Sequence, residues 1–88
     1  MAPVSQTIRV KVLFFGRLKE LIGRAEDSIE IADAATVEHL FALYAARNSE
    51  LAKYRSSLLA SRNQEFAAWD TQLRSGDEVA FLPPVSGG

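Results

Sequence analysis

Between Ile8 and Phe15 the apolar residues fall on alternate positions, Ile8, Val10, Val12 and Phe14, with Arg9 and Lys11 between them. A period of two is the mark of a strand buried on one face, and it commits a chain of 88 residues to a sheet. The second face does not stay polar, because Leu13 and Phe15 follow Arg9 and Lys11 toward the end of the segment. If a helix covers the Val12 and Phe14 face, then Leu13, Phe15 and, near the end of the chain, Leu82 are left to face solvent or a partner.

The remaining elements follow from punctuation and period. After Gly16, Leu18, Leu21 and Ile22 stand at helical offsets and stop at Gly23, which predicts a short helix with a glycine C-cap. Ser28 to Ile31 alternates again, and the connection is too short for a crossover, so this strand runs antiparallel to the first. Thr36 stands as an N-cap with Glu38 in the first turn, and Val37, Leu40, Phe41 and Tyr44 form a stripe at spacings of three and four. This main helix is predicted to end near Arg47 or Asn48.

Ser49 to Ser57 reads as a loop with one helical turn, anchored by Leu51 and Tyr54. Leu58 to Arg62 reads as a third strand, Asn63 to Asp70 as a turn or edge hairpin, and Leu73 to Asp77 as a turn before a last strand, Val79 to Leu82. Two helical stretches and a handful of short strands give an α+β domain: a mixed sheet of four to five strands packed on one main helix. The expected boundaries are a domain over 1–82 and an extended tail over 83–88.

Composition narrows the chemistry. There is no cysteine, so disulfides, thiolate metal sites and side-chain persulfides are excluded. A formal net charge of −1 with interspersed signs provides no broad positive field for nucleic acid or anionic lipid. Met1 to Thr7 has neither the basic nor the apolar region of a secretory leader, and the expectation is a soluble cytoplasmic protein. A domain this small has little stability to spare for strained catalytic architecture, which favours a carrier or adaptor over a self-contained enzyme.

The sequence closes on Pro83-Pro84-Val85-Ser86-Gly87-Gly88. Prolines cannot donate to a ladder and favour extension, so the tail is expected to project; six residues at ~3.1 Å each reach about 19 Å. Two glycines lack the Cβ atoms that would block a narrow channel, and they point to a carboxylate that another protein must reach. A carboxylate is a poor electrophile, and adenylation by ATP is the general remedy. Gly16 lies between a strand and a helix but lacks the Gly-Lys-Ser/Thr ending of a phosphate loop, so activation is assigned to a separate enzyme. This chain is expected to bind no cofactor itself.

From the first strand onward the chain resembles the small sulfur-carrier subunit of molybdopterin synthase, a family with a ubiquitin-like β-grasp fold. The resemblance is carried by Val12-Leu13-Phe14-Phe15, Leu18 to Gly23, Thr36-Val37-Glu38, Asn63-Gln64 and, most specifically, Gly76-Asp77-Glu78-Val79-Ala80-Phe81-Leu82-Pro83-Pro84-Val85-Ser86-Gly87-Gly88. It implies that Gly88 is adenylated by an ATP-dependent activating enzyme and converted to a thiocarboxylate. The thiocarboxylate would enter the large subunit of a heterotetrameric synthase and give sulfur to precursor Z, a cyclic pyranopterin phosphate, in molybdenum cofactor biosynthesis. Gly87 would be the thin neck behind it, and Phe15, Lys19, Phe66 and Leu82 would lie near the large-subunit contact. The chain would then be a non-catalytic sulfur donor, with acid and base groups on the large subunit. Arg62, where relatives often carry an aliphatic residue, and Gln72, in a turn that often holds proline, depart from the pattern.

Other readings stay in view. A carrier for thiamine thiazole synthesis or tRNA thiolation would share the Gly-Gly chemistry, a ubiquitin-like modifier would form isopeptide bonds from Gly88, and a binding module would have an incidental tail. His39, the only histidine, is read as a surface residue and no metal site is expected. Ser86 lacks an activating base, and Glu26-Asp27 and Asp77-Glu78 are read as solvated turn-edge residues. Phe66 is assigned to an interface, while Trp69 could serve either an interface or the core.

Overall fold

In the computed structural model, which describes residues 6–83, the opening alternation becomes strand β1, Thr7–Phe14. Ile8, Val10, Val12 and Phe14 are buried, Thr7, Arg9 and Lys11 exposed, and Leu13 half-buried. Helix α1 (Arg17–Ile22) ends at Gly23, whose φ of 88° turns its amide back onto the Lys19 carbonyl at 2.9 Å. Strand β2 (Glu26–Ala32) pairs antiparallel with β1, from Thr7 opposite Ala32 to Leu13 opposite Glu26.

Helix α2 (Val37–Ala45) buries Val37, Leu40, Phe41 and Tyr44, the stripe read from the sequence. Its first amides would be orphans, and each has a partner. Val37 N–H donates to the Thr71 carbonyl (3.0 Å), Glu38 N–H to the Trp69 carbonyl (2.9 Å), and His39 N–H to the Thr36 hydroxyl (3.2 Å). The His39 ring returns the favour, its Nδ1 accepting from Thr36 N–H at 3.1 Å, so this exposed histidine closes a capping box.

Helix α2 stops at Ala45, short of the predicted Arg47 or Asn48. Asn48 is needed elsewhere: its Oδ1 accepts from Glu50 N–H (3.0 Å), capping helix α3 (Ser49–Ala52), and its Nδ2 donates to the Leu21 carbonyl (2.7 Å). A 3₁₀ turn follows at Arg55–Ser57, then β3 (Leu59–Arg62), β4 (Glu65–Ala67) and β5 (Glu78–Leu82). The sheet order is β2-β1-β5-β3-β4. Strand β5 is parallel to β1 and antiparallel to β3, giving the expected mixed sheet on one main helix.

The core closes around aromatic edges. Phe14 meets Tyr44 with ring centroids 5.0 Å apart, and Phe41 meets Phe81 at 5.5 Å. Trp69 joins this cluster, 5.4 Å from Phe41 and stacked 6.0 Å from Phe81, with the Arg55 guanidinium 3.6 Å above its ring. Packing therefore accounts for Trp69.

Two of the acidic residues read as turn-edge solvation are structural instead. Asp77 is buried, its Oδ1 accepting from Asn63 Nδ2 (3.0 Å) and its Oδ2 from Arg74 N–H (2.8 Å). Asn63 also takes Glu78 N–H on its Oδ1 (2.9 Å) and donates its own amide to the Glu78 carbonyl (2.7 Å). Both Asn63 and Gln64 have positive φ, 52° and 73°, the backbone of a two-residue β3–β4 hairpin. Asp27 lies within β2 and accepts from the Tyr44 hydroxyl at 2.8 Å.

Candidate functional site

The face of the sheet away from α2 is divided. At one end it is charged: Arg9 pairs with Glu30 (3.0 Å), and Lys11 with Glu26 (3.1 Å). At the end where β5 runs out it is apolar. Register places Leu13, Ala80, Ser61 and Phe66 in one row across β1, β5, β3 and β4, with Leu82 and Leu59 paired in the next row. Phe66 is 78% exposed, Leu59 51% and Phe15 45%. Three of the four large exposed hydrophobics among the described residues thus gather on the end of the molecule from which the tail departs; the fourth, Leu43, is on α2. Gathered rather than scattered, such side chains mark a surface that a partner covers.

The four residues assigned to a partner contact from the sequence separate into two groups. Leu82 and Phe66 lie on this sheet face, Leu82 half-buried at the end of β5. Phe15 and the exposed Lys19 flank the β1–α1 turn and line a shallow hollow with Leu13, Gly16 and Glu26. Lys19 forms no ion pair among the described residues, so a cation stands at the rim of the apolar surface. Leu59 was missed in the sequence. Pairing Leu59 with Leu82 requires the β3–β5 register, which no local pattern reveals.

Pro83, the last described residue, is half-buried beside this hollow. A Cβ placed on Gly16 would lie 3.1 Å from the Pro83 Cγ, so the chain leaves the sheet against the β1–α1 turn. The other assigned tail residues, Pro84, Val85, Ser86, Gly87 and Gly88, lie outside the described residues, as do Met1 to Ser5 of the opening segment.

His39 is engaged at the α2 N-terminus, and no cluster of three or more His, Cys, Asp or Glu side chains suited to a metal occurs among the described residues. The perturbed ionisable groups sit on the helix side. Burial pushes Asp27 up, but hydrogen bonds from the Tyr44 hydroxyl, Ser28 N–H and Arg24 outweigh it and hold the carboxyl below its usual range. Burial and the same Asp27 contact drive the Tyr44 phenol upward. The Arg55 hydrogen bond lowers Glu38. These pairs brace α2 against β2 and the 3₁₀ turn. What the exposed surface offers is an apolar face, with Pro83 close to its edge. Among the described residues no helix is long and apolar enough to cross a membrane.

Comparison with known proteins gives the family and the fold. The sequence model of the ThiS family matches residues 12–88. The molybdopterin synthase sulfur carrier subunit of Escherichia coli is 46% identical over 82 residues, covering 90% of this chain and 99% of that protein. Among solved structures, a putative molybdopterin converting factor subunit 1 from Pyrococcus furiosus superposes with a TM-score of 0.79 at 29% identity, covering 89% of this chain and 99% of that one. A complex of subunits 1 and 2 of molybdopterin-converting factor from Helicobacter pylori contains a chain matched with a TM-score of 0.65 at 27% identity, over 92% of this chain and all of that one. A ubiquitin from Caldiarchaeum subterraneum, 16% identical, matches with a TM-score of 0.62 over 94% of this chain and all of that one. The fold is therefore ubiquitin-like, as the resemblance implied.

Proposed function

The chain belongs to the ThiS family, and from that premise we propose that it is the sulfur-carrier subunit of a molybdopterin synthase. The observation that carries the reading furthest is the convergence of an apolar sheet face and the exit of the chain at Pro83, in a chain 46% identical to a named sulfur carrier of that synthase. The face built by Leu13, Leu59, Phe66 and Leu82, with Phe15 and Lys19 at its edge, is where the large subunit would dock. Docking there brings the Gly-Gly end within reach of that subunit's active site.

The chemistry belongs to Gly88 and is completed by partners. In an ATP-dependent activating enzyme the Gly88 carboxylate displaces pyrophosphate from ATP, and hydrosulfide then displaces AMP to leave a thiocarboxylate. The thiocarboxylate sulfur is the nucleophile, and in the large subunit it bonds to a side-chain carbon of the pyranopterin precursor as an oxygen substituent leaves that carbon, holding Gly88 as a thioester; two carriers in turn supply the two sulfurs of the dithiolene. Water then releases Gly88 as a carboxylate, ready for another round. This chain supplies the sulfur and its placement, while acid, base and substrate-binding groups come from the large subunit.

The test is reconstitution. Chain carrying a Gly88 thiocarboxylate is mixed with large subunit and precursor Z, and the pterin product is assayed for its dithiolene. Product in proportion to the thiocarboxylate consumed is expected, and chain lacking Gly88 should yield none. If the thiocarboxylate survives beside active large subunit while a thiazole or tRNA acceptor consumes it, the carrier serves another pathway. Conjugates to lysines that persist on reducing denaturing gels would place it among protein modifiers.

A further inference from the structure

We infer that Gly16 is a positioning residue for the tail, acting through the Pro83 ring; the inference rests on the sulfur-carrier reading and deepens it. Three described glycines have positive φ: Gly16 at 58°, Gly23 at 88° and Gly76 at 89°. At Gly23 and Gly76 an added Cβ would meet nothing within 4 Å, so backbone conformation alone accounts for them. Gly16 carries a second requirement, because a Cβ there would stand 3.1 Å from Pro83 Cγ and 3.9 Å from its Cδ.

The contact sits where it can steer. The parallel β1–β5 ladder ends with Phe14 opposite Phe81. Two residues later on each strand come Gly16, which begins α1 and whose carbonyl accepts from Lys19 N–H at 3.1 Å, and Pro83. Proline cannot extend the ladder, and its ring rests where Gly16 has no side chain. One missing side chain and one rigid ring thus set the direction in which the chain leaves the sheet, next to Phe15 and Lys19.

Direction matters because Gly88 follows Pro83 by only five residues, and a displacement of about 1 Å can cost a hundredfold in a reaction needing alignment. Gly16 touches no reacting atom in this account. It leaves room for the Pro83 ring, at the point where the described chain ends.

The experiment compares wild-type chain, Gly16→Ala, Pro83→Ala and the double variant, each loaded with thiocarboxylate and mixed with large subunit and precursor. Single-turnover sulfur delivery is followed against large-subunit concentration. For Gly16→Ala the rate at saturation should fall about tenfold or more, while half-saturation stays within about twofold, because Leu13, Leu59, Phe66 and Leu82 on the docking face keep their side chains. In the Pro83→Ala background, which has no Cγ to obstruct, adding Gly16→Ala should cost little more. Wild-type delivery by Gly16→Ala, or the same full loss with and without the Pro83 ring, would overturn the inference, the second assigning the effect to the turn alone. Nuclear Overhauser contacts between Gly16 Hα and the Pro83 ring in the free wild-type chain give an independent reading, and their absence would overturn it as well. If wild-type chain delivers no sulfur, the carrier reading falls while these contacts still decide the geometry.

Discussion

A single hydrogen bond, from the Tyr44 hydroxyl to Asp27 at 2.8 Å, ties α2 to β2 beside an otherwise apolar core. Hydrogen bonds to charged groups contribute about 1.5–3 kcal/mol, and Tyr44→Phe is expected to lose about that much in urea-midpoint measurements. The loss has a pH signature. Asp27 is held below its ordinary value of 3.8, so its contribution is present above that value and disappears as pH falls through the lowered one. Tyr44 is raised above 10.0, so its contribution is intact below pH 10.0 and disappears as pH rises through the raised value. Tyr44→Phe should therefore narrow its gap from wild type at both the acid and the alkaline extremes. Asn63 is a second such point, satisfying Asp77 and both backbone groups of Glu78. Asn63→Ala should cost about 2 kcal/mol or more, because it leaves the Asp77 carboxylate buried with a partner missing.

Strands rather than residues create the apolar face proposed for docking. Leu13, Leu82, Leu59 and Phe66 come from four different strands and meet only because β5 lies between β1 and β3. Phe66→Asp and Leu59→Asp are expected to change stability by about 0.5 kcal/mol or less, since both side chains are already exposed. Each should weaken binding to the large subunit about tenfold or more, as measured by titration calorimetry, whereas Leu43→Asp on α2 should leave binding unchanged. The half of this surface on β1 was legible in the sequence, where Leu13 and Phe15 break the polar face of an otherwise regular alternation. The half on β3 was not, because Leu58-Leu59 is simply an apolar pair until register decides that Leu58 is buried and Leu59 is not. The same limit explains α2: its stripe gave its buried face, but its end depended on Asn48 being recruited to cap α3 and to hold Leu21. Asp77 likewise read as solvated, since only the β3–β4 hairpin brings Asn63 to it.

At the scale of the molecule, folding and function occupy separate parts of the chain. Among the described residues Phe14, Phe41, Trp69 and Phe81 close the core at the helix face, and strand β5 ends at Leu82. Truncation after Pro83 should leave thermal unfolding within about 1–2 °C of wild type and abolish sulfur delivery. The fold class was readable because a two-residue period, one amphipathic helix and short connections leave few arrangements. The terminal site lies outside the described residues; the sequence offers for it the Gly87-Gly88 end and the absence of cysteine, and it is the family resemblance that assigns sulfur to Gly88. The measurement that bears most directly on this is the intact mass of the chain after incubation with a cognate activating enzyme, ATP and a sulfide source, beside a variant lacking Gly88. The account predicts that full-length chain alone gains the mass of one sulfur in place of one oxygen, located at Gly88 by fragmentation. Unmodified full-length chain beside a demonstrably active enzyme, or sulfur found on any residue other than Gly88, would contradict it.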